Sequence, residues 1–521
     1  MIEKNFPSIF NDVIGPVMRG PSSSHCAAAL RIGRLARDLM DGQISEVIVE
    51  FDSTGSLATT HETQGSDIGL FGGLLGWDMT DNRLPEARKA IIKKGIKVNI
   101  RIVNTADTHP NTYNLILTNK REKHNVTAVS IGGGMIEISQ IDGAAVSIAG
   151  DYFETLIYVE SHIDQTIHFI QEKIHFDYVN LIKNNTIQFI EIKSQQFPDQ
   201  KILNQLTEKF PVRSVKQLSP VLPILSRKNI VVPFINCNEM IEYNRKKKMT
   251  LWELAIEYEC MRGILDGAEV RQKMRDIIMV LENSIRHGLE GTSYQNRILG
   301  RQSNKFSEKM EQNALMDAGI LNRMMLYATA LMEVKSSMGV IVAAPTAGAC
   351  AGLPAACLGA ADVIGLSTDD KINAMLAAGM IGVFIASGAT FAAEVGGCQA
   401  ETGAAGGMAA AALVTLNDGT LDQAVASASM ALQNSLGMIC DPVANRVEVP
   451  CLGKNILAAA NALTCANMAL AGYDPVIPLD EVIETMNRVG KQLPMELCCT
   501  ALGGLSITPT SNKIAHILNE K

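Results

Sequence analysis

Apolar and polar residues alternate with a period of two in several short stretches of the first half of the chain. Ile44–Ser53, Lys97–Asn104 and Tyr113–Asn119 each read as a strand, and VTAVSIGGGMIEISQI (Val126–Ile141) reads as strand, glycine break, strand. No helical pattern follows the three glycines, so a tight turn or bulge is expected there, not a dinucleotide loop. Ala28, Ile32, Leu35 and Leu39 recur at helical spacing and give one apolar face behind the polar run GPSSSH (Gly20–His25). From Asp151 to Pro223 the order is strand, helix, a hairpin about Asn-Asn, helix and strand, the βαββαβ order of a ferredoxin-like split unit. Asn236–Asn244 and the basic run after it look like a connection. Beyond about Met249 the pattern is helical, and residues 336–474 are crowded with Ala, Gly, Met and Val, which suits helices packed backbone to backbone. The expected fold class is α+β multidomain: an α/β region over 1–150, a ferredoxin-like module over 151–223, a linker over 224–248 and an all-α region of Ala/Gly-rich helices over 249–521.

A length of 521 residues agrees with two to four domains. The net charge of −8, with no basic arm or stripe, argues against nucleic acid as a main partner. NRKKKM (Asn244–Met249) reads as a solvated helix start or linker. MIEKNFPSIF at the N-terminus has neither a basic nor an apolar segment of a secretory signal. The eleven cysteines, ten of them from Cys237 onward, are therefore expected as thiols in a reducing, cytoplasmic setting. Ile372–Ala393 is long enough to span a bilayer, but no Trp or Tyr marks an interface and Glu394 and Glu401 follow at once. No membrane association is expected.

Four groups of residues have the character of chemistry. GPSSSH begins a helix; Ser24 or a neighbour is expected to cap it, and one cap needs one hydroxyl, not three. The spare hydroxyls and free N–H groups suit an anion, although a plain capped helix accounts for much of the pattern. His61, Gln64 and Asp67 lie in a polar loop entering a close-packed helix that contains Gly72-Gly73, where a histidine is as readily structural as catalytic. Cys398 (EVGGCQAETG), Cys440 (MICDPVAN) and Cys451 (VEVPCLGKN) each stand at a break in helical pattern, without a C-x-x-C pair. Three thiolates would leave one iron of a four-iron cluster open as a Lewis acid; buried cysteine is also simply a small apolar residue. APTAG (Ala344–Gly348) and ALGGLSITPTSNK (Ala501–Lys513) set threonines beside Pro and Gly, in shapes that present hydroxyls and N–H groups to a small ligand or serve as plain turns.

GPSSSH, HPNT (His109–Thr112) and SIGGGMIEI (Ser130–Ile138), followed by APTAG, GGCQAE (Gly396–Glu401), CDPVANRVEVPC (Cys440–Cys451) and GGLSITPT (Gly503–Thr510), resemble the iron–sulfur-dependent L-serine dehydratases. The likeness covers nearly the whole chain, with a β portion fused before an α portion. It implies a serine dehydratase β-type domain over 1–150, an ACT-type regulatory module over 151–223 and an α-type helical domain over 249–521. It also implies a 4Fe-4S cluster on Cys398, Cys440 and Cys451. The implied reaction is loss of water from L-serine, giving pyruvate and ammonia, with His61 as first candidate for the base and His25 as second. Ser22, Ser23, Ser24, Gln64, Asp67, Thr346, Ala347 and Gly348 are the implied substrate contacts, and a homodimer is the implied assembly. The same machinery acting on another small β-substituted amino or hydroxy acid, or an inactive cluster-binding homologue, are the alternatives. Several positions depart from the family pattern: Cys26 stands where many members carry Thr, Gln64 occupies a histidine slot, Gly388 replaces a frequent Asn or His, Ala349 replaces a frequent Ser, and Cys498 and Ala501 lie in a motif that usually contains Arg.

Overall fold

A computed structural model describes residues 6–519; the first five residues of the MIEKNFPSIF stretch lie outside the described residues. After a short strand β1 (Val17–Arg19), six strands build the first sheet: β2 (Glu46–Asp52), β3 (Lys97–Val103), β4 (Thr112–Thr118), β5 (Lys123–Gly132), β6 (Met135–Ile141) and β7 (Ala144–Ile148). Their order is β3-β2-β4-β5-β6-β7, and only β2 and β3 run parallel. Alternation along β2 and β4 turns Val47, Val49, Phe51, Tyr113, Leu115 and Leu117 into one core with the helices α1 (Ala28–Leu39) and α2 (Ser66–Leu74). Ala28, Ile32, Leu35 and Leu39 are the buried face of α1, as their spacing predicts.

Glycines let α1 and α2 cross almost in contact. A Cβ on Gly73 would lie 2.2 Å from the Leu30 carbonyl oxygen, and one on Gly33 would lie 2.6 Å from that of Leu70. Gly132, Gly133 and Gly134 all have positive φ and form the tight turn between β5 and β6. A Cβ at Gly132 would meet the backbone nitrogen of Ala392 at 2.9 Å, so this turn presses against the helical part of the chain.

The βαββαβ unit runs β8 (Phe153–Val159), helix Ile163–Lys173, β9 (Tyr178–Lys183), β10 (Gln188–Ser194), helix Gln200–Lys209 and β11 (Val212–Leu218). The sheet order is β11-β8-β10-β9, antiparallel throughout, which is the ferredoxin-like arrangement. One face carries the two helices over Ile157, Ile190 and Ile192; on the other, Leu156, Tyr158, Phe189 and Leu218 join the core of the first sheet.

Residues beyond 250 are helical apart from β12 (Val340–Val342), which pairs with β1 so that Val17 faces Val342. At the centre, α4 (Ala404–Leu416), almost wholly Ala and Gly in its first turns, lies between α3 (Thr368–Gly388) and α5 (Cys451–Leu470). Among the described residues α3 is the one helix long and apolar enough to cross a membrane, and 78% of its apolar window is buried inside the protein.

Two segments differ from their sequence reading. Within the expected linker, Cys237–Asn244 forms a helix whose Cys237 and Met240 are buried in the helical core. The N-terminal turn Ile9–Val13 also belongs to that core: Glu259 accepts from Ser8 Oγ at 2.5 Å and from the Ile9 N–H at 2.9 Å, while Tyr258 Oη donates to the Pro7 carbonyl at 2.9 Å. Periodicity within short segments carries no record of such distant partners.

Candidate active site

The serine run does not cap its helix. Ser23–Ala27 form one wide π turn ahead of α1, and Ser22 makes no side-chain cap bond. The three hydroxyls go elsewhere. Ser24 Oγ donates to Glu394 Oε1 at 2.6 Å, and Ser23 Oγ accepts from the Ala347 N–H at 3.2 Å. Ser22 Oγ lies 3.0 Å from His25 Nδ1.

These bonds fix the proton on His25. Thr60 Oγ1 donates to the Ser56 carbonyl at 2.6 Å, so it accepts at 2.7 Å from His25 Nε2–H. Nδ1 is then the acceptor in a neutral ring, with Ser22 as donor because the Ser24 proton is committed to Glu394. Burial, the largest cause, lowers the His25 pKa and favours this neutral form, against the opposing pull of Glu394. Both ring nitrogens are occupied, and the ring is fully buried.

The APTAG loop closes the other side. Thr346 Oγ1 donates to Glu401 Oε1 at 2.6 Å, and Asn455 of α5 holds the loop by donating to the Gly348 carbonyl at 2.8 Å. Burial pushes the Glu401 carboxyl up to about 7. Lys335, with no exposed surface, donates to the Val447 carbonyl and acts electrostatically on both Glu401 and Cys451.

The cysteines converge here. Cys398 opens the turn leading to α4, Cys451 is the first residue of α5, and Cys440 sits in extended chain bridged to Cys498. The ligand atoms of Cys398, Glu401 and Cys440 all lie within 4.8 Å of one another. Cys499 packs in the same cluster. The Cys440 thiol is held far above its ordinary pKa, first by hydrogen bonding with Cys398 and Cys499 and then by burial; burial raises that of Cys451. Soft sulfur donors, buried and crowded, are the donor set of an iron–sulfur or other thiophilic metal centre, so the residues present fit such a group.

Two histidine-loop residues complete the seam. His61 Nδ1 lies 2.7 Å from Asp67 Oδ1, and Asp67 Oδ2 accepts from Arg88 at 2.9 Å. Gln64 Nε2 donates to Asn445 Oδ1 at 2.9 Å and to Cys499 Sγ at 3.4 Å, and Asn445 Nδ2 donates to the Thr59 carbonyl at 2.7 Å. The loop around residues 56–64 therefore docks directly on the cysteine-bearing segments. Ser23, Ser24 and His25, the APTAG loop, Glu401 and Cys398 are thus linked side by side, and Asn455 joins Gly348 to the Cys451 carbonyl.

Some groups were not legible. Glu394 Oε2, both polar side-chain atoms of Asn111 and the Ser130 hydroxyl are buried without partners. Asn111 belongs to THPNT, a turn that looks ordinary by itself; an unsatisfied amide has no sequence signal. Its wall is part of the same region: the Asn111 carbonyl accepts from the Ser130 N–H at 3.1 Å, and the carboxylate of Glu394 acts on the charge of His109.

A family profile described as "Serine dehydratase alpha chain" matches residues 246–506. A probable L-serine dehydratase alpha chain of Bacillus subtilis (strain 168) is 34% identical over 281 residues, 54% of this chain and 94% of that protein. The L-serine dehydratase alpha chain of Peptoniphilus asaccharolyticus is 35% identical over 279 residues, 53% of this chain and 95% of its own length. The chain belongs to the serine dehydratase family. It is a lyase. A probable L-serine dehydratase beta chain of Bacillus subtilis (strain 168) is also similar, 40% identical over 152 residues, 29% of this chain and 68% of that protein.

Within this family member the unusual residues have identifiable places. Cys26 Sγ donates to the Arg19 carbonyl at 3.4 Å and packs under Gly20. Gly388 ends α3 against Ile483. Ala349 is buried, and its N–H donates to Thr346 Oγ1 at 3.2 Å. Cys498 and Ala501 flank the segment that accepts from Ser56 and Thr59 through the Cys499 and Thr500 carbonyls.

Proposed function

We propose that the protein removes water from L-serine, yielding pyruvate and ammonia, with a 4Fe-4S cluster held by Cys398, Cys440 and Cys451. The observation that carries the reading is the meeting of Cys398 and Cys440, with Cys451 in electrostatic reach of Cys398, beside the serine–histidine corner in a serine dehydratase chain. Held by these cysteines, the cluster would supply Lewis acidity for loss of the β-hydroxyl.

The protein's own residues divide the remaining work. His61 takes the α-proton at Nε2: Asp67 engages Nδ1 and so fixes the tautomer that leaves Nε2 as the acceptor. His25, with both nitrogens engaged, positions Ser22 and Ser24 and holds no free lone pair for the substrate. Backbone N–H groups of the π turn and the hydroxyl of Ser23, which accepts from the Ala347 N–H and keeps its own proton free, bind the substrate carboxylate, while Ser22, Ser24, Thr346 and Gly348 line the pocket and keep bulk water out. Gln64 and Asn445 close the seam over the thiols. Once the α-proton and hydroxide have left, the enamine product tautomerises and hydrolyses to pyruvate and ammonia.

The ferredoxin-like unit is proposed as an ACT-type regulatory module and the assembly as a homodimer. The observation that supports the module is its β11-β8-β10-β9 sheet. Anaerobic purification and reconstitution test the central reading: a brown, iron- and sulfide-containing protein that releases pyruvate from L-serine supports it. Iron-free protein after careful reconstitution, or no pyruvate, overturns it.

A further inference from the structure

The carboxylate of Glu394 is half used. Its side chain is 2% exposed; Oε1 accepts from Ser24 and lies 3.5 Å from His25 Nδ1, while Oε2 is buried with no partner. A buried carboxylate oxygen left without a donor is costly, and native chains seldom keep one without a use for it. Nothing nearby supplies the donor from within. His25 is neutral with both nitrogens engaged, and among the described residues no Lys or Arg pairs with Glu394. Glu401 faces it with like charge, and burial, the largest cause, lowers the pKa of His109, which also feels the carboxylate, and so favours its neutral form. The missing partner is therefore a cationic donor that arrives with a ligand.

The opposite sort of vacancy lies on the same wall. Asn111 presents an amide with both N and O unpartnered; its backbone carbonyl is held by Ser130, two residues before Gly132, and a Cβ at Gly132 would press on Ala392, two residues before Glu394. A buried carboxylate acceptor and an amide able to donate, on segments that this turn brings together, suit a zwitterion, with ammonium on one and oxygen on the other.

We infer that Glu394 Oε2 receives the α-ammonium of the substrate, so that the site selects 2-amino acids over 2-hydroxy acids of the same shape. This rests on the reaction proposed above and names the group that sets its substrate class. Ser24 is the positioning residue, since its hydroxyl fixes the carboxylate through Oε1 and aims Oε2 at the ligand.

The test uses L-alanine and L-lactate, which lack a β-hydroxyl to lose and differ only in ammonium against hydroxyl. Binding of each to the reconstituted enzyme is measured directly, beside KM and kcat for L-serine. The wild type should bind L-alanine at least about 10-fold more tightly than L-lactate, and Glu394→Gln should erase that preference while L-lactate binding stays within about 3-fold. KM for L-serine should rise ~10- to 100-fold in the variant, with a smaller change in kcat. An unchanged preference in Glu394→Gln, or equal weakening of both ligands, overturns the assignment. A potassium titration separates the other cation source: if Glu394→Gln abolishes a potassium response but keeps the alanine preference, Oε2 belongs to a metal ion and the inference fails. If the Gln variant does not fold, Glu394→Asp and the wild type carry the test, and equal binding of both ligands by the wild type overturns it. Absence of L-serine turnover in the wild type counts against the reaction alone, because the alanine-to-lactate ratio is measured independently of turnover.

Discussion

Gln64 and Cys499, 435 positions apart in the chain, are joined by an amide donating to a thiol at 3.4 Å. The same amide reaches Asn445, so one side chain ties the loop after β2 to two segments of the cysteine-bearing region. Gln64→Ala should cost about 1–3 kcal/mol of stability, from the unsatisfied Asn445 and the space left behind. Thermal melting measures this, and limited proteolysis should show earlier cleavage in the 56–64 loop. An unchanged melt with unchanged cleavage would remove Gln64 from any role in closing the seam.

His61 and Asp67 separate base from orienter. His61→Asn should lower kcat about 100- to 10,000-fold, with KM changed far less. Asp67→Asn should retain more activity, because the imidazole remains but loses its fixed tautomer. His61→Asn with wild-type kcat would move the base elsewhere.

Iron content distinguishes the thiols. Cys398→Ala, Cys440→Ala and Cys451→Ala should each fall well short of the wild-type iron and sulfide after reconstitution. Cys499→Ala should keep both, as a thiol bonded to Gln64 and packed beside the ligand set without belonging to it. Iron lost from Cys499→Ala would place a fourth thiol among the ligands.

The crossing of α1 and α2 sets a sharp limit on side-chain size. A methyl at Gly73 would sit 2.2 Å from the Leu30 carbonyl oxygen, so Gly73→Ala should destabilise by about 2–4 kcal/mol or leave the protein insoluble. Gly95→Ala is the control for space, since nothing lies within 4 Å of a Cβ there, although its positive φ of 82° carries a small strain of its own. Denaturant unfolding that treats the two alike would contradict the close approach.

Glu154 gives the protein a pH signature. Burial pushes its carboxyl from an ordinary 4.5 up to about 8, with Lys193 opposing and Glu191 and Asp151 reinforcing the shift. The folded state therefore keeps a proton that the unfolded chain releases, and stability falls as pH rises from about 4.5 to about 8. Glu154→Gln should flatten that decline and be the more stable form above pH 8, by an amount on the order of 1–3 kcal/mol. Melting curves between pH 5 and 9 show it, and parallel profiles for the two proteins would rule it out.

Local periodicity carried the strands of the first sheet, the βαββαβ unit and the buried face of α1, because each depends on neighbours within a few residues. The cysteines, the serine run and APTAG were legible as motifs, since Pro and Gly breaks beside reactive side chains leave a mark in the sequence. What each hydroxyl touches was not. Ser22–Ser24 look like a cap and instead serve His25, Ala347 and Glu394, partners more than 300 residues away in two of the three cases. The helix at Cys237–Asn244 was hidden by the charged run after it, and its burial is decided by contacts with distant helices.

The strand β1 and the turn before it have one more effect. β1 pairs with β12, and the turn docks on helices beyond residue 250. This segment is thus anchored by partners 250 and 251 positions away, and the serine corner beside it meets its cysteines only through the same long-range packing. The pocket therefore has no wall that either half of the fold builds alone: what fixes β1 also brings the serines to the thiols.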